Sequence, residues 1–374
     1  MLRVQVSEAV ADPGSRAFLA EHGLPEAAAY LDFGVLAQGR LAELTAWPGG
    51  PVVGDGRLLV LGEPEYGSGQ VVLDAVSGDV WLAEWTDGDL RRDLLASDLP
   101  AFVGLLREAE SVARAAEDRE AGNGHRGAGI TQAVVQVAEE RMREVDPRLF
   151  ETVARPAHWG TVVRVEALAW GAWPGTAGPG GLAYEFGADL VEELALLSGE
   201  RGVRRYRPEE LPPALTHEPT RRLLTETGLA LDGQLFVVPP EGPLRSMAQA
   251  HAEPGPLRDH LAVGWWVEGL PIALDGATGR VEVPPRFGDG RPDRYLNRDL
   301  SALLYALWTY EKLRDEWWQS EEDTLQDWAV HDPQALLLAV VDRLVEAVDP
   351  EAFATPAHTW RMLAEDPYTG GLLG

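Results

Sequence analysis

The 374-residue chain contains no cysteine and a single lysine, Lys312. The absence of cysteine excludes disulfide bonds and thiolate metal ligands. The longest aliphatic run, at 336–341, is far shorter than the roughly 20 residues of a membrane-spanning helix. The first eight residues include the acidic Glu8 and have no apolar core of a secretory signal. We therefore expect a cytoplasmic protein.

Acidic residues outnumber basic ones, 60 against 32, which gives a formal net charge of −28. A surface this negative repels phosphate backbones and anionic lipids, so it disfavours nucleic acid and membranes as partners. It would attract a basic protein and accelerate association by about 10- to 1000-fold at low salt. The alternative is that the acidity serves only solubility and, like the scarcity of lysine, follows from GC-rich codon usage.

Four sequence blocks occur twice in the same order. Each copy then continues to Pro-Ala-His. Such a repeat predicts a duplicated domain. The paired blocks are 18–24 with 223–229, 72–80 with 273–281, 98–102 with 299–303, and 145–150 with 348–353. The predicted organisation is a first module at 1–165, a Gly/Pro-rich linker with a short helix at 166–200, and a second module at 201–374.

A five-residue motif in each copy, 74–78 and 275–279, predicts a tight turn between two strands. Asp74 is followed by Gly78 in the first copy, and Asp275 by Gly279 in the second. An Asp side chain accepts backbone N–H bonds two residues further on, and glycine adopts a positive φ, so both steps fit a hairpin turn. A catalytic role for the two aspartates is the alternative.

The rest of each copy predicts helices and strands of an α+β module. A short helix ends at a glycine, and a loop leads to Asp98 or Asp299, which is a candidate helix N-cap. An apolar stripe follows Asp98, at Leu99, Phe102, Val103, Leu105 and Leu106. The predicted strands are 58–61, 70–74 and 80–85, with 261–267, 270–275 and 280–283 in the second copy; the predicted later helices are 130–145 and 334–348.

The order of these blocks resembles the SUKH superfamily, which groups Syd-like proteins with yeast cell-wall regulators of the Knr/Smi type. The similarity is greatest to its fourth subfamily, that of immunity proteins, and extends to the tail at 360–366. The resemblance implies an α+β fold in which a largely antiparallel sheet packs with helices. It also implies binding to a cognate toxin domain, often a nuclease or a deaminase, whose active site is blocked. Family members typically carry one copy, so the tandem arrangement departs from the family.

Tryptophans next to acidic residues are the best interaction candidates among the 13 in the chain. Trp is favoured at binding hot spots, and acids around it would form a rim for a basic partner. The alternative is that these tryptophans fill hydrophobic cores. The candidate partner-binding residues are Trp85 with Glu84, Asp87 and Asp89; Trp265 and Trp266 with Glu268; and Trp317 and Trp318 with Glu321 and Glu322.

Patterns of catalytic and metal sites are weak. The glycines at 122–127 fit G-x-G-x-x-G, but an acidic helical run precedes them instead of a strand. His158 and His358 recur beside tryptophans without further clustered ligands, which favours packing over metal binding. Gly67-Ser68-Gly69 lacks the strand–turn–helix context of a nucleophile elbow. We predict no catalytic residue, metal or cofactor.

The sequence therefore predicts a non-enzymatic immunity protein that binds a toxin, most simply a basic one. Two alternatives remain open. One is a regulatory scaffold that bridges partners through its two modules, and the other is a hydrolase or nucleotide-modifying enzyme.

Overall fold

The structure is a computed structural model, and it divides into two compact units. Unit 1 comprises Met1–Gly124, Gly129–Trp170 and Glu316–Ala339, and unit 2 comprises His125–Ala128, Gly171–Asp315 and Val340–Gly374. The structure describes residues 9–46, 49–53, 56–120, 131–152, 157–171, 181–184, 190–191, 194–195, 202–231, 235–251, 257–266, 269–283, 295–323, 330, 333–355, 358 and 360.

The first copy of the repeat forms an antiparallel sheet with the strand order β1-β2-β4-β5-β6-β7, and β3 pairs with β4. Its inward side chains are fully buried, as at Leu59, Leu73 and Leu82. The strands are β1 (Ala27–Ala28), β2 (Leu31–Asp32), β3 (Ala42–Glu43), β4 (Leu58–Pro64), β5 (Gln70–Asp74), β6 (Val80–Thr86) and β7 (Asp89–Ala96).

Helices pack against this sheet through aromatic contacts. The ring of Phe102 lies edge-on to Phe33 at 5.9 Å and to Trp159 at 6.1 Å. The predicted apolar stripe from Leu99 to Leu106 is buried, and Asp98 caps its helix by accepting the N–H of Ala101 at 2.7 Å. The helices are α1 (Pro13–Glu21), α2 (Leu99–Glu120), α3 (Thr131–Val145), α4 (Pro147–Thr152) and α5 (Ala157–Gly171).

The second copy repeats this plan with shorter strands. Its sheet has the order β10-β12-β13-β14-β15, β11 pairs with β12, and β8 pairs with β9. The strands are β8 (Val203–Arg204), β9 (Leu229–Ala230), β10 (Phe236–Val237), β11 (Arg245–Ser246), β12 (Leu261–Trp266), β13 (Leu270–Leu274), β14 (Val281–Glu282) and β15 (Tyr295–Asn297); the helices are α6 (Glu218–Arg222), α7 (Met247–Ala250), α8 (Leu300–Asp323) and α9 (Pro333–Val348).

The predicted strands are present in both copies, but two segments differ from the prediction. The loop expected before Asp98 is instead the strand Asp89–Ala96 at the edge of the sheet. Its four charged residues interrupt the alternation of polar and apolar side chains by which a strand is recognised in the sequence. The helix Ala157–Gly171 was not predicted, and it extends into the segment expected as a linker at 166–200. That helix contains several β-branched residues, and its buried packing outweighs their weak helix propensity. Most of that predicted linker with its short helix, namely 172–180, 185–189, 192–193 and 196–200, lies outside the described residues.

The hairpin turns have the same hydrogen bonds in both copies. Asp74 accepts the N–H groups of Val76 and Ser77 at 2.9 and 3.1 Å. Gly78 adopts φ 82° and Gly279 φ 83°. In the second copy the carboxylate of Asp275 accepts two N–H groups, at 2.8 and 3.4 Å. Asp, Ser/Thr and Gly at these positions therefore have a structural explanation, since they close the turn.

A glycine after a β-bulge is the second shared feature. The pairing register shifts just before Gly62 in β4 and just before Gly264 in β12. A Cβ at Gly62 would lie 2.2 Å from the carbonyl oxygen of Asp32, and one at Gly264 would lie 2.3 Å from that of Val237. Only glycine lets the neighbouring strand approach this closely.

A buried carboxylate joins the end of the sheet to the later helices in both copies. Asp146 accepts the N–H and the hydroxyl of Ser97 at 2.7 and 2.8 Å, and the N–H of Leu149 at 3.0 Å. Asp349 accepts the N–H of Arg298 at 2.8 Å and side-chain bonds from Tyr295 and Asn297 at 2.7 and 3.1 Å. These aspartates are 1% and 2% exposed, so the hydrogen bonds are shielded from solvent.

We expect Asp146→Ala to lower the free energy of unfolding by about 3 kcal/mol or more, because three buried donors lose a charged acceptor. Urea denaturation followed by circular dichroism measures the change. The control is Glu144→Ala at the neighbouring exposed position, which should change stability by less than about 0.5 kcal/mol. Equal midpoints for the two variants would contradict a structural role of Asp146.

Candidate protein-interaction surfaces

One face of the first sheet carries aromatic side chains, and we call it the first outer face. Alternation in β6 places Trp81, Ala83 and Trp85 on this face, and register adds Leu90 and Arg92 of β7. Trp81, Trp85 and Leu90 are half-buried. They pack against a buried cluster composed of Leu44, Val53, Leu58, Val60, Val72 and Ala83.

The end of this face is a two-stranded ribbon. β5 pairs with β6 only as far as Ala83, whereas β6 and β7 continue to the pair Thr86–Asp89. Asp87 and Gly88 close the ribbon with φ values of 55° and 90°, as the two-residue hairpin turns with positive φ require. The ribbon therefore extends past the neighbouring strand and presents its tip to solvent.

The ribbon brings together four residues that the sequence singled out. Trp85 and Glu84 are half-buried, and Asp87 and Asp89 are exposed at the tip. Glu84 lies opposite Arg91 of the neighbouring strand β7, so the positive charge of Arg91 offsets the negative charge of Glu84. The charge of the tip therefore comes mainly from the two aspartates.

Arginine on this face was not among the predicted residues. The guanidinium of Arg92 lies 4.9 Å from the ring centroid of Trp81, which is a cation–π distance. The signal in the sequence was a pair of arginines two residues after the acidic tip, at Arg91 and Arg92. Arg92 partly covers Trp81, and the aromatic surface nearest the tip is that of Trp85.

The second sheet has an equivalent face, the second outer face, centred on Trp265. Trp265 is 37% exposed and Val237 is 38% exposed. The two residues lie directly opposite each other, Trp265 in β12 and Val237 in β10. On the other side Trp265 lies opposite Pro271. The ring of His251 meets Trp265 edge-on at 6.5 Å. These contacts leave an apolar patch on the surface.

Trp266 lies on the opposite side of β12 and belongs to the core. It is 2% exposed and meets Trp360 edge-on at 4.9 Å. Two adjacent residues of a strand point to opposite faces, so only Trp265 of this pair reaches the second outer face. Glu268 lies outside the described residues.

The third predicted group lies on a helix. Trp317, Trp318, Glu321 and Glu322 belong to the helix Leu300–Asp323, and their side chains lie outside the described residues. The glycine motif at 122–127 also lies outside them. These residues stay predictions.

The two recurring histidines are packed against aromatic rings. His158 is 3% exposed, and its ring meets Trp159 edge-on at 5.0 Å. His358 shares a hydrogen bond of 2.8 Å with the hydroxyl of Thr355 and lies 6.3 Å from the ring of Tyr295. Among the described residues, no group of three His, Asp or Glu side chains could hold a metal ion. In that part of the chain, no helix is long and apolar enough to cross a membrane.

The duplicated geometry agrees with a comparison of the sequence with known families. The family model described as SUKH-4 immunity protein matches residues 3–166 and again 190–366. The chain belongs to the SUKH-4 immunity protein family. The paired match confirms the predicted tandem arrangement of SUKH modules, and the antiparallel sheets with helices confirm the α+β class. Searches of curated proteins and of solved structures gave no match.

Burial gives this SUKH-4 protein a pH-dependent stability. Desolvation lowers the pKa of His158 from its ordinary value of 6.5 to about 4, so the folded protein keeps this imidazole neutral. As pH falls from 6.5 to 4, the unfolded chain takes up a proton that the folded protein does not bind. The contribution of His158 to the free energy of unfolding is therefore fully present above pH 6.5 and is lost as the pH falls through this window.

We expect the loss attributable to His158 between pH 7 and pH 4 to be on the order of 3 kcal/mol. Urea denaturation of the wild type and of His158→Gln measures it, since the variant should lack this part of the slope. The control for removing one histidine is His22→Gln, at a side chain that is 62% exposed. Parallel pH curves for the wild type and His158→Gln would refute the assignment.

Proposed function

We propose that this protein neutralises a cognate toxin by binding its toxic domain, without catalysing a reaction itself. The observation that carries the proposal is the match of the SUKH-4 immunity protein family to both copies. We propose the cytoplasm as the site of this complex, because an immunity protein protects the cell that makes the toxin. We keep 1–165 and 201–374 as the two modules, with 166–200 as their linker.

The acidity of the chain supports a basic toxin. With a net charge of −28, the protein attracts a domain that itself binds nucleic acid through cations, as a nuclease or deaminase does. Bound at the toxin's basic surface, it would compete with the phosphate groups of the substrate. A toxin of this type is therefore the partner we propose.

The ribbon of the first outer face suits such a contact. Trp85 is a half-buried aromatic residue beside the exposed Asp87 and Asp89. An aromatic anchor with a polar rim is a common arrangement at binding hot spots. The ribbon tip also extends past β5, so a partner can approach it without moving the rest of the sheet.

Co-expression tests the function directly. We expect the wild-type protein to restore growth to cells that express the toxin encoded beside its gene. We also expect the purified pair to form a stable complex that an unrelated toxin does not displace. Cell death despite soluble expression, together with no complex in size-exclusion chromatography, would refute the proposal.

The ribbon contact makes a separate prediction. Asp87→Asn with Asp89→Asn should lower the association rate with the toxin several-fold at low salt, because two charges of the steering field are removed. Asn also tolerates the positive φ of position 87, so the turn is preserved. Stopped-flow mixing at 20 and 500 mM NaCl measures the effect, which screening should abolish at high salt.

The matched control removes two exposed acids from α3, as Glu140→Gln with Glu144→Gln. It changes the net charge by the same amount at another place. If both pairs slow association equally, the effect comes from the overall charge, and the ribbon has no special part in binding.

A further inference from the structure

The bulge glycines define equivalent surface positions in the two copies. Gly62 approaches the carbonyl of Asp32 in the first copy, and Gly264 approaches that of Val237 in the second. The residue after each glycine pairs with the residue approached: Glu63 with Asp32, and Trp265 with Val237. Both pairs therefore lie at the same place on their sheets.

These equivalent pairs have opposite chemistry. Asp32 and Glu63 are exposed carboxylates directly opposite each other, an arrangement that destabilises a sheet slightly. Val237 and Trp265 are exposed apolar side chains in the same relation. The backbone around the two pairs follows the same bulge and the same antiparallel register.

The comparison shows that the fold does not require apolar residues here. The first copy builds the same bulge with two carboxylates, one of which, Asp32, accepts the N–H of Gly34 at 2.6 Å, so the bulge itself does not need apolar side chains at these positions. More than a third of Trp265 remains in water after folding, so further burial of this residue against a partner would stabilise a complex. Two adjacent exposed apolar side chains that the bulge does not require form a candidate contact surface.

We propose that Trp265 and Val237 form an apolar docking site for the toxin domain. The matching surface of the toxin is an apolar patch within a basic surface. This inference rests on the proposed function, and it assigns the second copy a contact different from the acidic one of the first copy. Another molecule of this protein is disfavoured as the occupant of the site, because two molecules of charge −28 repel each other. The basic toxin has the complementary charge.

The test transplants the residues of the first copy into the second, as Val237→Asp with Trp265→Glu. We expect the Kd for a catalytically inactive form of the adjacent toxin to rise about 30-fold or more, as for loss of a tryptophan hot spot. Isothermal titration calorimetry measures this. The loss should persist at 500 mM NaCl, where charge contacts are screened. Val76→Asp, at a valine that is 56% exposed in the first hairpin turn, is the control and should bind normally.

Hydrogen exchange on the wild-type complex gives a second measurement that does not depend on how the variant folds. We expect protection of 235–238 and 261–266 when toxin is added. Normal toxin binding by the double variant, or no added protection in these strands, would overturn the docking site and leave the proposed function intact. No binding by the wild type would instead refute both.

Sedimentation tests the competing occupant. We expect the free wild-type protein and the double variant to have the same mass. Suppose instead that the wild type is a dimer, that the double variant is a monomer, and that both bind the toxin equally well. The patch is then a self-association surface and the proposal is wrong.

Discussion

The fold of each copy depends on one buried carboxylate at the start of an Asp-Pro step. Asp146 and Asp349 each accept the backbone N–H that follows the last strand of the sheet, from Ser97 and Arg298. A carboxylate this deeply buried is tolerated only when hydrogen bonds satisfy it, so its position fixes the later helix relative to the strand. A buried indole adds a bond at the same strand end: Trp159 donates to the carbonyl of Leu95 at 2.7 Å, and Trp360 to the side chain of Asn297 at 2.9 Å.

The parts of the fold that the sequence predicted are those with local chemistry. A turn that needs Asp and Gly, a helix that starts after Asp98, and a helix that stops at Asp-Pro each leave a pattern of a few adjacent residues. The strand Asp89–Ala96 leaves none, because its place is set by pairing with β6 and its charged side chains lie at an edge. The helix Ala157–Gly171 was missed for the same reason, since burial rather than propensity decides its conformation.

The candidate surfaces were predictable in kind but not residue by residue. Proximity of Trp and acids selected Trp85 with Asp87 and Asp89, which the ribbon does bring together. The same rule selected Trp265 and Trp266 together, although neighbours in a strand point to opposite faces and only one can be exposed. The bulge at Gly264 reverses the alternation, so sequence alone does not show which of the two is buried. The pairing of Asp32 with Glu63 follows from the register between β2 and β4, which the sequence does not reveal.

The two proposed contacts would let the duplicated protein separate two demands that conflict on a single surface. Exposed carboxylates speed the encounter with a basic partner, but desolvating them offsets much of their attraction once the complex forms. An apolar patch gains free energy from desolvation but does not steer the partner, and beside many carboxylates it would be harder to dehydrate. The equivalent positions Asp32–Glu63 and Val237–Trp265 place carboxylates on one copy and apolar side chains on the other. Because each copy keeps its own buried carboxylate and turn, either surface can diverge without cost to the other's stability.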